Sequence, residues 1–317
     1  MRGSLESVAK RSKKAMVVGI GGGGDVVGAI PTSNYLRMLG CETVLGGLTW
    51  ERYVNDPEPG PRRMDEIVNI TRISDTVGIA NPSTRTVKGV RFTESAVAEV
   101  IREDVLLIDP NQGVRGLVKG INAAAGKMGV DLFVGVDTGG DVLATGKEEG
   151  LRSMLADSMM LASMVKIDIP SILGVLGCCT DGELTLEQFT ERLSAVAEYG
   201  GLLGARGLTP EDIDMLERVI PATKTESSAL AVKAAKGLRG LIPIRGGYRK
   251  ALITPFSAIT FYLDPFVVFE KVNGIARELV NTKTIEEADE ILRKAGLPSE
   301  LAFQRSGEWR KYLGSGG

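Results

Sequence analysis

Five short apolar runs, each followed by a loop of glycine and polar residues, constrain the fold of this chain more than any other feature. The runs occupy residues 15–21, 43–48, 105–109, 131–137 and 171–177, and helix-like stretches separate them. Apolar strands that alternate with helices are typical of a parallel sheet covered on both faces. The sequence therefore predicts an α/β protein with a Rossmann-like three-layer fold and a mainly parallel sheet.

No repeat or Pro/Ser-rich linker divides the 317 residues, so we predict one α/β domain over residues 1–317. Residues 1–13 are expected to form a tail or an early helix, and residues 185–240 a helical insertion or cap. Residues 305–317, which end in Gly-Ser-Gly-Gly, are expected to form a C-terminal tail. The stretch 151–165 is apolar nearly all round and is predicted to be a buried helix, with packing against a second subunit in a homo-oligomer as the alternative.

The overall composition argues against several classes of protein. The formal net charge is −2 and the pI is near 5.6, which does not favour binding to a nucleic-acid backbone. No run of about 18 apolar residues is present, so no membrane span is expected. Three cysteines, two of them the neighbours Cys178 and Cys179, do not form a disulfide framework and favour a cytoplasmic protein. We expect those two to pack in a loop.

The absence of histidine limits the chemistry that is available. It removes the commonest general base, every nucleophile that a histidine would activate, and all imidazole metal ligands. Any catalysis must therefore rest on carboxylates, lysine, arginine, tyrosine, cysteine or a metal ion.

Three of the loops that follow the apolar runs combine glycines with acids. The acids of these loops are Asp25, Asp137, Asp141, Asp181 and Glu183, and the adjoining glycines are Gly21, Gly22, Gly23, Gly24, Gly139, Gly140 and Gly182. Because the carboxyl ends of parallel strands share one edge of a sheet, we expect these loops to meet. Each acid could instead be an ordinary turn or helix-capping residue.

The predicted roles follow from the chemistry of these groups. Oxygen ligands suit Mg²⁺ or Mn²⁺, and several acids at one edge need a positive partner. The alternative is that these acids bind hydroxyl groups of a ligand directly. The predicted metal ligands are Asp25, Asp137, Asp141 and Asp181, and the predicted catalytic residues are Asp141, Asp181 and Glu183. The glycine amides are expected to hold the anionic part of a small molecule.

Two further segments offer groups that could bind a ligand. Trp50, Glu51 and Arg52 follow the second apolar run, where a stacking plane and a guanidinium could meet an anion. Glu226 and Arg245 lie in later loops, and Arg245 precedes two glycines. The alternative for each segment is a solvated surface loop.

A dinucleotide-binding pattern is also present. Gly19, Gly21 and Gly24 fit G-x-G-x-x-G, and Glu51 stands where an acid could bind a ribose. However, Asp25 would crowd the pyrophosphate, and Pro31 is expected to shorten the following helix. NAD is therefore not the expected cofactor.

Ordered, uncommon motifs between about residues 14 and 265 resemble those of one known family. They are GGGGDVVGA, WERYVNDPEPGP, VDTGGDVLATGKEEGLRSMLAD, TDGELT and IRGGYRKALITP. On these motifs the chain resembles the family catalogued as domain of unknown function 1152, which implies no established reaction.

These observations favour a divalent-metal-dependent enzyme that acts on a small phosphorylated, nucleotide or amino-acid-like metabolite. Hydrolase, lyase and transferase chemistry are all compatible with the residues. The first alternative is a non-catalytic protein that binds a nucleotide or a sugar, and the second is a nicotinamide-dependent oxidoreductase.

Overall fold

A computed structural model describes residues 3–312. Its strands are β1 (Lys14–Gly19), β2 (Glu42–Leu48), β3 (Ile67–Arg72), β4 (Val77–Thr86), β5 (Val105–Ile108), β6 (Leu132–Thr138), β7 (Ser171–Leu176), β8 (Leu202–Gly207), β9 (Gly240–Ile244), β10 (Arg249–Ile253) and β11 (Ile259–Leu263). Its helices are α1 (Leu5–Ala9), α2 (Asp25–Met38), α3 (Thr93–Ile101), α4 (Gly113–Met128), α5 (Leu155–Lys166), α6 (Leu186–Glu198), α7 (Pro210–Thr223), α8 (Glu226–Ala235), α9 (Pro265–Lys271), α10 (Gly274–Leu279), α11 (Ile285–Lys294) and α12 (Glu300–Ser306).

A nine-stranded sheet in the order β3-β4-β5-β2-β1-β6-β7-β11-β8 organises the fold. The five central strands, from β5 to β7, pair in parallel, whereas β4 and β11 run antiparallel to their neighbours. The central strands are the five apolar runs of the sequence. The strands β9 and β10 form a separate antiparallel pair.

Helices cover both faces of the sheet, as the apolar pattern of β1 requires. Met16 and Val18 point into a core built with α4, α5 and α9 to α11. Ala15 and Val17, on the other side of the same strand, point into a core built with α1, α2, α3 and α7. Because alternate residues of one strand face opposite layers, both sets must be apolar. The predicted Rossmann-like three-layer fold with a mainly parallel sheet is confirmed.

Several local features differ from the expectations. Residues 185–240 contain the helices α6, α7 and α8, but they also contribute β8 to the edge of the sheet. This strand has the sequence LLGARG and is half exposed, so it lacks the apolar signal of a buried strand. The helix α2 continues through Pro31 to Met38, because its burial in the core offsets the one hydrogen bond that proline removes.

The structure also describes most of the two predicted terminal segments and the predicted buried helix. In the predicted N-terminal segment, α1 forms a short helix. In the predicted C-terminal tail, Arg305 and Ser306 end α12 and a 3-10 helix spans Glu308–Tyr312, whereas residues 313–317 lie outside the described residues. The predicted buried helix is α5, whose residues from 155 to 164 are all buried. Over residues 3–312, no helix is long and apolar enough to cross a membrane.

Candidate functional site

The carboxyl ends of three neighbouring strands form the centre of the site. β1 pairs with β6, and β6 pairs with β7, all in parallel, so the loops that follow them lie side by side. The chain proceeds from β1 to β2 and β5 on one side, then crosses to β6 on the other. In open parallel sheets, ligands bind outside the strand ends at such a reversal of strand order. The three glycine and acid loops therefore reach one edge of the sheet.

The loop after β1 uses its backbone amides within the protein. The Gly21 amide donates to Oδ2 of Asp25 at 2.8 Å, and the Gly23 amide donates to the Trp50 carbonyl at 2.8 Å. A Cβ atom on Gly21 would lie 2.6 Å from Oδ2 of Asp25 and 2.9 Å from Oδ2 of Asp157. Glycine is needed here because two carboxylates approach the backbone closely. The loop thus brings two acids together, and these two amides are not open to a phosphate.

The loop after β6 carries two of the predicted acids. The carboxylate of Asp137 accepts hydrogen bonds from the amides of Gly140 at 3.4 Å and Val142 at 3.1 Å. Asp141 begins a short 3-10 helix, and its Oδ2 accepts a hydrogen bond from Oγ of Ser153 at 3.2 Å. Both acids are buried, so their positions are fixed by the loop and by the segment that precedes α5.

The loop after β7 carries two acids, Asp181 and Glu183, which differ in how many hydrogen-bond and ion-pair partners they have. Oδ1 of Asp181 accepts a hydrogen bond from the Glu183 amide at 2.8 Å, while its buried Oδ2 has no hydrogen-bond partner within residues 3–312. Glu183 accepts hydrogen bonds from Oγ of Ser153 and the Arg152 amide, each at 2.7 Å, and pairs with Arg249 at 2.8 Å. We predicted Glu183 as catalytic, but these partners occupy its oxygens. We therefore give it a positioning role.

Asp157, on the first turn of α5, completes a group of three acids that the sequence analysis missed. One carboxylate oxygen from each of Asp25, Asp137 and Asp157 lies within 4.8 Å of the other two. Ligands that are about 2.0 to 2.6 Å from one cation are separated by about this distance or less. Oδ1 of Asp157 is buried and lacks a hydrogen-bond partner in the described part of the chain. We call these three residues the aspartate triad; it has the donors that a hard divalent cation requires.

The remaining predicted metal ligands, Asp141 and Asp181, belong to the same group of interacting charges. Burial, followed by repulsion from Asp157 and Asp137, raises the pKa of Asp141 well above its ordinary value. Burial, followed by repulsion from Glu183, raises the pKa of Asp181 to about 7. They adjoin the triad without being part of the group that lies within 4.8 Å.

The electrostatics of the triad show a shortage of positive charge. Burial raises the pKa of Asp25 to about 6, although Arg52 acts in the opposite direction. Burial, followed by repulsion from other acids, raises the pKa of Asp137 and of Asp157 well above the ordinary value. A cation bound at the triad would reverse this repulsion and hold the carboxylates ionised.

Without a metal ion, the protein should lose thermal stability as the pH rises. The carboxyls of Asp25 and Asp181 have pKa values of about 6 and about 7 in the fold, against an ordinary 3.8. Their stabilising contribution is present below about pH 4 and is lost as the pH rises through the folded pKa. Melting temperatures in a chelator should therefore fall between about pH 4 and pH 7. Asp181→Asn should flatten this slope.

The matched control for the pH series is Asp214→Asn. Asp214 lies exposed on α7, so the same chemical change there should leave the slope as it is in the wild type. A wild-type melting temperature that rises over this range, or a slope that Asp181→Asn does not alter, would contradict the assignment.

A cavity of about 320 Å³ adjoins the acids and is rich in arginine. Arg52, Arg245 and Arg249 line it, together with Arg152 and Lys224. Burial, followed by repulsion from Arg52 and then Arg249, lowers the pKa of Arg245 despite its ion pair with Glu226. Guanidinium groups that repel one another in a cavity favour the binding of an anion.

A smaller pocket connects the arginines to the triad. Asp25 lines it together with Arg52 and Arg245, and both arginines also line the larger cavity. Burial opposes the charge of Arg52, but Asp25 and Asp141 raise the pKa of its guanidinium above the ordinary value. Arg52 therefore interacts with the acids and also lines the cavity.

Two residues predicted to bind a ligand have structural partners instead. Trp50 is buried and donates from Nε1 to Oε1 of Gln304 at 2.9 Å. Glu51 is buried and accepts hydrogen bonds from the Thr93 amide at 2.5 Å and the Thr93 hydroxyl at 3.0 Å, which ties it to the start of α3. Neither lines the arginine-rich cavity. We leave both out of the proposed site.

The other predicted glycines and the adjacent cysteines lie in or beside the loops. Gly139, Gly140 and Gly182 have φ values of +142°, +117° and +71°, and a Cβ atom on Gly139 would collide with the Asp181 carboxylate. The sulfur atoms of Cys178 and Cys179 are 3.4 Å apart and buried. The hydrogen bond with Cys179, together with burial, raises the pKa of Cys178, which favours a packed thiol over a nucleophilic thiolate.

Comparison with known proteins finds one family. The sequence profile of the family described as Protein of unknown function (DUF1152) matches residues 16–307. No curated protein and no solved structure gives a significant match.

Proposed function

The chain belongs to the DUF1152 family of proteins of unknown function, and we propose that it is a divalent-metal-dependent enzyme that acts on a small anionic metabolite. The observation that carries the proposal is the aspartate triad at the reversal of strand order. Three buried carboxylates at ligand separation are costly unless a cation joins them, and one of them has an oxygen without a hydrogen-bond partner among the described residues. The arginine-rich cavity beside them supplies the anion site.

The donor set favours Mg²⁺ or Mn²⁺. The three ligands of the triad are carboxylates, the chain has no histidine, and its cysteines are not among these ligands. Oxygen donors of this kind select hard cations. When bound there, the cation supplies Lewis acidity that polarises an anionic group or acidifies a water molecule.

The remaining groups have separate roles in the proposal. Arg52 and Arg245 hold the anionic group of the metabolite, because both line the cavity and the pocket that reaches Asp25. Asp181 moves a proton at Oδ2, which has no hydrogen-bond partner within residues 3–312, and a pKa of about 7 suits a general acid or base near neutral pH. Glu183 fixes the position of Arg249 through their ion pair. Hydrolase, lyase and transferase reactions all fit this arrangement.

The contacts of the loop after β1 and of Glu51 give less support to the alternative of a nicotinamide-dependent oxidoreductase. The Gly21 amide, which a pyrophosphate would need, donates to Asp25. Glu51, which would bind a ribose, is engaged with Thr93. A dinucleotide would have to displace both interactions.

Mn²⁺ or Mg²⁺ at neutral pH should raise the melting temperature of the metal-free protein, whereas NADH should not. A ligand that binds the native state stabilises it in proportion to ln(1 + [L]/Kd). Differential scanning fluorimetry, with KCl at equal ionic strength as the control for screening, measures the shift. A stabilisation by NADH together with no response to either metal would overturn the proposal in favour of the oxidoreductase.

A non-catalytic binding protein and an enzyme should respond differently to Asp181→Asn, which replaces the carboxyl of the proposed proton transfer by an amide. An amide oxygen still accepts a hydrogen bond from a ligand hydroxyl, so a binding protein should lose little affinity. An enzyme that needs the carboxyl should lose turnover by orders of magnitude while the fold survives. Metal-dependent depletion of a metabolite pool, compared between wild type and this variant, separates the two.

A further inference from the structure

The arginine-rich cavity has an aromatic section that a small inorganic anion would not use. Tyr53 and Phe303 line it, with ring centroids 5.8 Å apart in an edge-to-face arrangement. Trp309 stacks on Tyr53 with centroids 5.2 Å apart and is itself buried. Tyr53 is therefore held rigidly where it contributes to the wall. Rigid aromatic side chains beside cations are a combination that binds planar rings.

The size and charge of the cavity set a second limit on its occupant. About 320 Å³ falls at the lower end of the range for small-molecule sites and exceeds what an isolated phosphate would fill. Among residues 3–312, five cationic side chains line the wall, against three acidic ones. Two of those acids, Glu183 and Glu226, already pair with arginines. The third, Glu300, accepts hydrogen bonds from two amides at the start of α5. Positive charge is thus in excess.

We propose that the metabolite is a nucleoside phosphate, whose base rests against Tyr53 and Phe303 and whose phosphate lies among Arg52, Arg245 and Arg249. This inference rests on the proposed function in one respect, which is that the phosphate faces the cation of the aspartate triad. Arg52 adjoins both, since it lines the cavity and its charge acts on Asp25. Sugar phosphates and inorganic phosphates would use the arginines but not the aromatic wall.

The decisive comparison is between AMP and ribose 5-phosphate, which differ only in the base. Stacking of a base on an aromatic side chain contributes roughly 1 to 3 kcal/mol, or about fivefold to more than hundredfold in affinity. Isothermal titration calorimetry with the full chain and a fixed concentration of free Mn²⁺ should therefore give AMP at least about fivefold tighter binding than ribose 5-phosphate. GMP, UMP and CMP extend the comparison to other bases.

Variants at Tyr53 test whether the tighter binding of AMP comes from contact of the base with this ring. Tyr53→Ala should weaken AMP about tenfold and leave ribose 5-phosphate nearly unchanged, whereas Tyr53→Phe, which keeps the ring, should bind both as the wild type does. If Tyr53→Ala does not fold, the comparison of AMP with ribose 5-phosphate in the wild type still tests the inference. Equal affinity for ribose 5-phosphate and for all four nucleotides, equal weakening of both ligands by Tyr53→Ala, or no binding of any nucleotide would overturn the inference.

The same titrations separate this inference from the proposed function. If Mn²⁺ stabilises the protein but the base adds nothing, only the nucleoside assignment fails. If AMP binds equally with Mn²⁺ and with a chelator, and Asp157→Asn does not change its affinity, the metal part of the proposed function fails and the nucleoside assignment stands.

Discussion

Asp157→Asn is expected to weaken Mn²⁺ binding at least about hundredfold, because it removes one of three charged ligands. A pair of unit charges about 4 Å apart interacts by about 4 kcal/mol at the effective dielectric of a protein surface, so the loss of one carboxylate charge is large. Turnover, where it depends on the cation, should fall by a comparable factor or more. Isothermal titration calorimetry with Mn²⁺ measures the affinity directly.

The same variant should not destabilise the metal-free protein. Asp157 is repelled by Asp137 and Asp25, so its replacement by a neutral side chain relieves that repulsion. A variant that melts at or above the wild-type temperature in a chelator, and no longer responds to Mn²⁺, would identify a ligand. Asp214→Asn, on the exposed face of α7, should behave as the wild type in both conditions. Unchanged Mn²⁺ affinity in Asp157→Asn would remove this residue from the site.

Arg249→Met is expected to destabilise the protein by roughly 3 kcal/mol, because it leaves the Glu183 carboxylate buried without its cation. The Glu183 side chain is only 2% exposed and pairs with Arg249 at 2.8 Å. Arg249 also donates to the Asp181 carbonyl, so the loop that carries Asp181 should loosen. Urea unfolding measures the change in the free energy of unfolding.

A double variant tests the assigned cause. Glu183→Gln combined with Arg249→Met removes both charges, so it should be less destabilised than Arg249→Met alone. If the double variant instead loses the sum of the two single effects, the ion pair does not position the loop, and Glu183 returns as a candidate catalytic residue.

The fold could be predicted because its signal is local and repeated. Five apolar runs with short polar interruptions define the parallel strands from β5 to β7, and burial on both faces leaves little choice of residue there. The edge strands β3 and β8, and the strand β4 next to β3, could not be predicted for the opposite reason. These strands mix apolar residues with polar residues and glycine, and many of their positions are exposed, so the contrast between strand and loop is lost.

The acids of the site were predictable only where they stand at or just after the end of a strand. Asp25, Asp137 and Asp181 are close to strand ends, and the parallel sheet brings their loops together. Asp157 lies in a helix that is apolar nearly all round, and such a pattern predicts a buried structural helix, not a metal ligand. An acid that is isolated on a wholly buried helix is itself a signal, since burial of an unpaired carboxylate is costly.

The arginine-rich cavity depends on distant parts of the chain. Arg52 follows β2, Arg249 begins β10, and Phe303 lies on α12. Their separation along the sequence gives no indication that these residues line one cavity. Likewise, residue type alone suggests that Trp50 and Glu51 bind a ligand. Their contacts with Gln304 and Thr93 depend on tertiary packing, which the sequence does not show.

The most direct test of the metal site is anomalous diffraction from a crystal grown or soaked with Mn²⁺. The account predicts one strong anomalous peak bounded by carboxylate oxygens of Asp25, Asp137 and Asp157, at ligand distances of about 2.0 to 2.6 Å. A crystal of Asp157→Asn treated in the same way should lack the peak. A fully formed triad without anomalous density at saturating Mn²⁺, or a peak bound only by other residues, would contradict the central claim.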